Sequence, residues 1–234
     1  MRVGIVVAGG TGERFGREGG KQLAPLVGLP VAAHSLRAMS RATRIDAVLL
    51  VCDPERVDEY RRGAIAPDLG SPMLAVVPGG ETRRLSVTAG LAATPQDATI
   101  IAVHDGARPL VEPGVIDRAI DELEATPGID GVCVGHPAYD TVKITDGKRV
   151  TGTPDRASLW IAQTPQVFRA DALRRAYALA EAEGWVGTDD ASFVEHAGGV
   201  VMMVEGPRWN LKVTVPEDLE VAEALLERRR RGEI

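Results

Sequence analysis

The chain has 234 residues, a formal net charge of −6 at pH 7 and two cysteines. This length allows a single domain, 1–234, with a full core and no need for disulfide bonds. The acidic balance argues against nucleic-acid binding through a basic surface, and no apolar run reaches the roughly 20 residues of a membrane span. Without a signal-peptide pattern, these features predict a cytoplasmic protein that binds neither nucleic acid nor membrane.

Short apolar runs alternate with amphipathic helical segments along the chain. This alternation is typical of parallel strands joined by helical crossovers, so it predicts an α/β fold with three layers and a mostly parallel, doubly wound sheet. The predicted strands cover 3–8, 45–52, 73–78, 99–105, 131–135 and 199–206, and the predicted helices cover 30–42, 54–62, 82–93, 113–125, 170–183 and 216–231.

Residues 138–156 break this alternation. Polar and β-branched residues alternate there around Asp146 and Gly147, a pattern that indicates a β-hairpin rather than a strand–helix unit. A polar hairpin has little core of its own. The sequence therefore predicts a projecting β-arm that packs on another surface, for which the second subunit of a homodimer is the simple candidate.

A glycine-rich stretch at 6–16, VVAGGTGERFG, begins within the first predicted strand and continues beyond its end. The dinucleotide fingerprint G-x-G-x-x-G fails because Phe15 stands at its last glycine, and a P-loop ending at Lys21 fails because Gln22 replaces the required hydroxyl residue. What remains is a loop whose backbone N–H groups could face a polyanion, with Arg14 and Lys21 supplying charge. From this loop alone, a phosphate site and a plain surface turn both stay open.

The longer string AGGTGERF…GGKQLAPLVGLPVAAHSL resembles the A-x-G-x-G-x-R…K-Q signature of sugar-nucleotide pyrophosphorylase-like nucleotidyltransferases. Further segments are similar, in order, to the 2-C-methyl-D-erythritol 4-phosphate cytidylyltransferase family. These are GGETRRLSVTAGL at 79–91, VHDGARPLV at 103–111, DTVK at 140–143, TPQVF at 164–168, TDDASFVE at 188–195 and NLKVTVPEDL at 210–219. The resemblance runs nearly end to end and implies a fold like that of the nucleotide-diphospho-sugar transferases.

The resemblance implies an enzyme of non-mevalonate isoprenoid biosynthesis. It would form 4-diphosphocytidyl-2-C-methyl-D-erythritol and pyrophosphate from CTP and 2-C-methyl-D-erythritol 4-phosphate, by in-line attack of the acceptor phosphate on the α-phosphorus of CTP. Such a reaction needs gathered positive charge and no covalent nucleophile. Ribitol 5-phosphate stays an alternative acceptor. A non-catalytic nucleotide-binding regulator and an NAD-linked oxidoreductase are the alternatives of other classes.

The resemblance also implies roles for individual residues. The catalytic charges would be Arg14, Lys21, Arg156 and Lys212. The CTP-binding residues would be Ala8, Gly9, Gly10, Gly80, Glu81, Ser86, Gly106 and Arg108, although the family pattern leads us to expect alanine at position 106. The acceptor would be bound by Thr141, Arg156, Thr188 and Lys212, with Thr141 and Arg156 reaching the neighbouring subunit's site.

Asp105 ends a predicted parallel strand, where open α/β sheets bind ligands. A carboxylate in that place suits Mg²⁺ carried by a triphosphate. A helix cap is the alternative role for Asp105. The chain contains no D-x-D motif, which argues against a metal-dependent glycosyltransferase.

Overall fold

The computed structural model describes residues 1–10, 15, 20–65 and 68–233. The strands found in these residues are β1 (Arg2–Ala8), β2 (Pro25–Leu26), β3 (Leu29–Pro30), β4 (Ala47–Cys52), β5 (Met73–Pro78), β6 (Ile100–Asp105), β7 (Gly131–Pro137), β8 (Ile144–Asp146), β9 (Arg149–Gly152), β10 (Trp160–Arg169) and β11 (Val201–Glu205). The α-helices found there are α1 (Val31–Arg41), α2 (Val57–Gly63), α3 (Arg83–Ala93), α4 (Pro113–Ala125), α5 (Ala170–Glu183), α6 (Asp190–His196) and α7 (Glu217–Arg230).

Seven strands form the central sheet in the order β11-β7-β10-β6-β1-β4-β5. Neighbouring strands pair in parallel, except that β10 runs antiparallel to both β6 and β7. The parallel strands β1, β4 and β6 are buried almost throughout, as expected for a sheet that is covered on both faces.

Helices cover both faces of the sheet. Alternate residues of β1 point to opposite faces, so Val6 packs in one core with α1 and α4, while Ile5 packs in the other with α3 and α5. Each fully buried aliphatic side chain of these cores contributes about 1.5–3 kcal/mol of hydrophobic stabilisation. The predicted three-layer, mostly parallel α/β fold is thereby confirmed.

The sequence prediction lacks strand β10 and helix α6, as well as the two-residue strands β2 and β3. Strand β10 includes buried Gln163, Gln166 and Pro165, and a register shift between Ala162 and Gln166 accommodates the proline within the sheet. Helix α6 is short, and a capping box begins it: Asp189 accepts a hydrogen bond from the Ser192 N–H. The predicted helix at 54–62 is divided into a 3₁₀ turn, Pro54–Arg56, and α2.

The predicted hairpin is present as the antiparallel pair β8 and β9. Gly147 in its turn has φ = 57°, a left-handed conformation that glycine adopts without strain. Ile144 and Val150 of the arm are 55% and 54% exposed. The arm thus adds nothing to the core of its own chain.

A third, smaller apolar cluster contains Phe15. This residue is 1% exposed and belongs to the same cluster as Val31, Val213 and Leu226. The bulky residue that breaks the dinucleotide fingerprint is therefore a core residue that packs in one cluster with residues of α1 and α7. None of the helices in the described ranges is long and apolar enough to cross a membrane.

Candidate functional site

A cleft opens beyond the carboxyl ends of β1, β5 and β6, the edge at which open α/β sheets bind ligands. It contains about 500 Å³ of empty space, a figure that includes space open to solvent. The residues that line it are Val7, Gly9, Gly10, Lys21, Gln22, Gly80, Glu81, Thr82, Arg83, Ser86, Asp105, Ala107 and Lys212.

Asp105, the last residue of β6, lies among three cationic side chains. Its Oδ1 accepts a hydrogen bond from Arg83 Nε at 3.1 Å, and its Oδ2 accepts one from Lys212 Nζ at 2.8 Å. Arg108 Nε lies 3.8 Å from Oδ2. The backbone N–H of Asp105 donates to Thr164 Oγ1 of β10 at 3.0 Å, so the reversed strand holds the main chain at this point.

Arg83 links Asp105 to a second carboxylate. Its two terminal nitrogens donate to Asp190, Nη1 to Oδ1 at 2.9 Å and Nη2 to Oδ2 at 2.6 Å. Asp190 is fully buried and also accepts a hydrogen bond from the Tyr177 hydroxyl at 2.5 Å. The formal charges of these two carboxylates and of the three cations around Asp105 leave the cluster at +1.

The cations keep Asp105 ionised. Burial alone would raise the pKa of its carboxyl group, but the charges of Arg83, Lys212 and Arg108 outweigh burial and hold the pKa well below its usual range. Burial alone would likewise lower the pKa of Arg83, yet Asp190 and Asp105 together raise it. Asp105 and Arg83 therefore remain charged throughout the physiological pH range.

Lys212 is carried by a segment that is attached to the sheet on both sides of it. Asn210 Nδ2 donates to the Thr164 carbonyl oxygen at 2.8 Å, and the Val213 N–H donates to the Ala107 carbonyl oxygen at 2.8 Å. The Lys212 side chain is 40% exposed. Its ammonium group thus contacts Asp105 and remains accessible to a ligand.

The opposite side of the cleft consists largely of main chain. A Cβ atom at Gly79 would lie 2.7 Å from Ser86 Oγ, so a larger residue does not fit between β5 and α3. The Gly80 N–H donates to Ser86 Oγ at 3.2 Å and fixes the turn that precedes α3. This side offers backbone groups and a hydroxyl to a ligand rather than bulky side chains.

The structure brings eight of the predicted site residues together around the cleft: Gly9, Gly10, Lys21, Gly80, Glu81, Ser86, Asp105 and Lys212. Arg14 lies outside the described residues. Thr141, Arg156 and Thr188 are exposed and do not line the cleft, and Arg156 Nη1 donates to the Tyr139 carbonyl oxygen at 3.0 Å. The roles of all these residues stay predictions.

The remaining three predicted residues lie beside the cleft, and each has one polar group engaged in a hydrogen bond. The Ala8 carbonyl oxygen accepts a hydrogen bond from the Tyr60 hydroxyl at 3.0 Å. Gly106 donates its N–H to the Val7 carbonyl oxygen at 2.8 Å. Arg108 Nη1 donates to the Asn210 carbonyl oxygen at 2.8 Å. These contacts support the cleft wall, and a direct ligand contact at the three positions stays a prediction.

The sequence reasoning did not identify Arg83 or Gln22. Arg83 stands beside Arg84 in the string ETRRLS, and the sequence alone does not show which of the two faces Asp105. Gln22 is buried at the cleft, and its Oε1 has no hydrogen-bond partner among the described residues. Its position directly after Lys21 was the available signal for it.

Asp105 is the predicted metal ligand, and Glu81 is a second carboxylate in the lining of the cleft. Among the described residues, no three His, Cys, Asp or Glu side chains are grouped to hold a metal ion. A carboxylate has about four lone-pair positions, and Arg83 and Lys212 take two of those on Asp105. Mg²⁺ at triphosphate sites commonly takes one or two carboxylates and completes its shell with phosphate and water oxygens. The site therefore fits a nucleotide-borne Mg²⁺ and does not fit an all-protein cage.

The fold and the cationic cleft together define an α/β enzyme that handles phosphorylated ligands. The family model described as 2-C-methyl-D-erythritol 4-phosphate cytidylyltransferase matches residues 3–228. The chain belongs to this family and is a nucleotidyltransferase, which confirms the prediction from the sequence.

Individual relatives agree over nearly the full length. The chain is 43% identical to the 2-C-methyl-D-erythritol 4-phosphate cytidylyltransferase of Rubrobacter xylanophilus, over 98% of this chain and 97% of the relative. It is 40% identical to the enzyme of the same name from Geotalea uraniireducens, over 97% of each chain. A crystal structure of 4-diphosphocytidyl-2C-methyl-D-erythritol synthase from Anaerococcus prevotii is similar with a TM-score of 0.84 and 28% identity, over 97% of this chain and 99% of that chain.

Proposed function

We propose that the cleft binds CTP and 2-C-methyl-D-erythritol 4-phosphate and transfers the cytidylyl group between them, releasing pyrophosphate. The observation that carries the proposal is a cleft lined by Lys21, Arg83 and Lys212, the last two in contact with Asp105, in a chain that matches the family from residue 3 to 228. Relatives named for methylerythritol phosphate do not favour ribitol 5-phosphate as the acceptor. Family membership also disfavours an oxidoreductase.

We assign cytidine to the main-chain side of the cleft, lined by Gly9, Gly10, Gly80 and Ser86. A flat ring can lie against glycine residues, and fixed carbonyl oxygens can accept hydrogen bonds from the exocyclic amine of cytosine. Glu81 lies in the same wall and would complete the pocket.

We assign the triphosphate to the cationic side. Lys21 lines the cleft, and its ammonium group can follow charge that moves from the α-phosphate to the leaving pyrophosphate. Arg14 is the further cation in this assignment. Asp105 would hold Mg²⁺, which would neutralise phosphate charge when bound.

The chain's own residues then favour in-line attack by bringing two polyanions together. Lys212 would hold the acceptor phosphate while Lys21 holds the CTP phosphates, so that the attacking oxygen faces the α-phosphorus. No residue needs to become covalently linked to the substrate.

We further propose a homodimer in which the β-arm of one subunit supplies Arg156 and Thr141 to the cleft of the other. Both residues are exposed and outside their own chain's cleft, and the arm carries exposed Ile144 and Val150. Thr188 would contact the acceptor. A location in the cytoplasm accords with two free, buried cysteines.

The direct test is pyrophosphate release by the purified protein with CTP, Mg²⁺ and each polyol phosphate separately. We expect turnover with 2-C-methyl-D-erythritol 4-phosphate, a product with the mass of the cytidine diphosphate adduct, and loss of activity with EDTA. UTP and ATP serve as matched nucleotide controls. Faster turnover with ribitol 5-phosphate, or no pyrophosphate release with either acceptor, would reject the proposed function.

A further inference from the structure

We propose that Arg83 is a positioning residue for this reaction: it is held by buried Asp190 and sets the orientation in which Asp105 presents Lys212 to the acceptor phosphate. The proposal rests on the proposed function, because it concerns the same cleft and the same transfer. It gives Arg83, Asp190 and Tyr177 a role in the positioning of Lys212.

The contacts of Arg83 fix its direction. Two nitrogens of its planar guanidinium group are engaged by Asp190, at 2.9 and 2.6 Å, and Nε is engaged by Asp105 Oδ1 at 3.1 Å. Because the donors of a guanidinium group are held in one rigid plane, the bidentate contact with Asp190 also determines where Nε points. A lysine in the same place would keep the charge but could not hold both carboxylates in this geometry.

Asp190 holds the guanidinium group of Arg83 in a fixed position. It is 0% exposed and accepts a hydrogen bond from the Tyr177 hydroxyl at 2.5 Å. Tyr177 in turn stacks on Phe193 of α6, with 4.6 Å between ring centroids. Asp190 is therefore fixed by α5 and α6, on the side of the sheet opposite to α1 and α4.

The two oxygens of Asp105 are divided between two partners. Oδ1 contacts Arg83, while Oδ2 contacts Lys212 at 2.8 Å. Without the contact at Oδ1, the carboxylate could rotate and take the Lys212 ammonium group with it, since the two groups attract each other strongly in this buried place. Arg83 thus acts on the acceptor phosphate through Asp105 and Lys212.

The test uses Arg83→Lys, with Arg84→Lys as a matched control. Arg84 is the next residue of α3, and its side chain has no hydrogen bond or ion pair with another described residue. We expect Arg83→Lys to lower kcat/KM for the acceptor by about 10- to 100-fold, the scale of a misplacement of roughly 1 Å. The KM for CTP should stay within about twofold of wild type, and Arg84→Lys should match wild type.

A double-mutant cycle separates positioning from a loss of folded protein. Because Arg83 acts through Lys212, adding Arg83→Lys to Lys212→Ala should lower kcat/KM by less than about threefold more, whereas independent effects would multiply. Thermal unfolding of each variant measures the folded fraction at the assay temperature. The positioning role would be overturned if the effects of Arg83→Lys and Lys212→Ala on kcat/KM multiply in the double variant. It would also be overturned if Arg83→Lys has unchanged kinetics, or if it loses activity equally for both substrates in proportion to the folded fraction.

The wild-type enzyme distinguishes this proposal from the function on which it rests. Wild-type protein that releases no pyrophosphate with CTP and the methylerythritol phosphate overturns the proposed function and the positioning role together. Active wild-type protein with an unaffected Arg83→Lys variant overturns the positioning role alone.

Discussion

His104 makes the folded protein sensitive to acid. It lies on β6 one residue before Asp105 and is fully buried. Its Nε2 lies 3.2 Å from the Arg108 carbonyl oxygen, which can only accept, so Nε2 carries the hydrogen. Nδ1 lies 2.9 Å from Thr164 Oγ1 and accepts its hydrogen, since that hydroxyl oxygen already accepts from the Asp105 N–H. These contacts satisfy a neutral imidazole ring.

Burial lowers the pKa of His104 from 6.5 to about 4. In the unfolded chain the ring takes up a proton as the pH falls through about 6.5, whereas in the folded protein it stays neutral until about pH 4. The unfolded state therefore binds more protons in this window, and the free energy of unfolding falls as the pH falls. The loss from this one residue is about 2 kcal/mol between pH 7 and pH 5.

Urea unfolding at pH 7, 6 and 5 measures this loss, and His104→Asn is the comparison. Asparagine has no proton to take up and keeps an acceptor for the Thr164 hydroxyl. The variant should be less stable than wild type at pH 7 but should lose about 2 kcal/mol less on going to pH 5. Burial also lowers the pKa of His34, but that contribution is common to both proteins and cancels. Equal losses in the two proteins would refute the reasoning.

Three further predictions concern the cleft and the arm. Lys21→Ala should lower kcat at least about a hundredfold with a modest change in the KM for CTP, as expected for a lost transition-state donor; steady-state kinetics with near-normal kcat would contradict the role. Lys212→Ala should raise the KM for the polyol phosphate more than that for CTP, and an unchanged acceptor KM would reject its assignment. Replacing residues 141–155 with a short glycine linker should give a monomer of reduced activity in sedimentation velocity, whereas a dimer of full activity would reject the β-arm proposal.

The parallel part of the sheet could be predicted because its strands are continuous apolar runs in the sequence, and β1, β4 and β6 are buried on both faces of the sheet. Buried strands appear as continuous apolar runs, and the observed bounds of β1, β4, β5, β6, β7 and β11 lie within a few residues of the predicted ones. Strand β10 could not be predicted in the same way. Its central residues include Gln163, Pro165 and Gln166. Both glutamines are buried, and their side chains are hydrogen-bonded to residues distant in sequence; Gln166, for example, donates to Asp189.

A site residue could be predicted from the sequence where a residue of a suitable chemical type stands at an informative position in the chain. Lys21 follows a glycine-rich turn, and Asp105 ends an apolar strand, so each has a local signal. Arg83 has none, because its importance depends on Asp190, which lies 107 residues further along the chain and becomes its neighbour only when α3 and α6 pack on the sheet. Likewise, no local sequence pattern shows that the two oxygens of Asp105 contact different residues, Arg83 and Lys212.

The reversed direction of β10 has a consequence for how the arm and the cleft are placed. Trp160, its first residue, pairs with Pro137, the last residue of β7, and Arg169 at its other end pairs with Ile100, the first residue of β6. The chain between β7 and β10 therefore leaves and re-enters the sheet at a single edge, the one that holds Asp105. Residues 138–156 therefore project from the edge of the sheet at which the cleft opens, and a second subunit bound to the arm would lie beside this cleft.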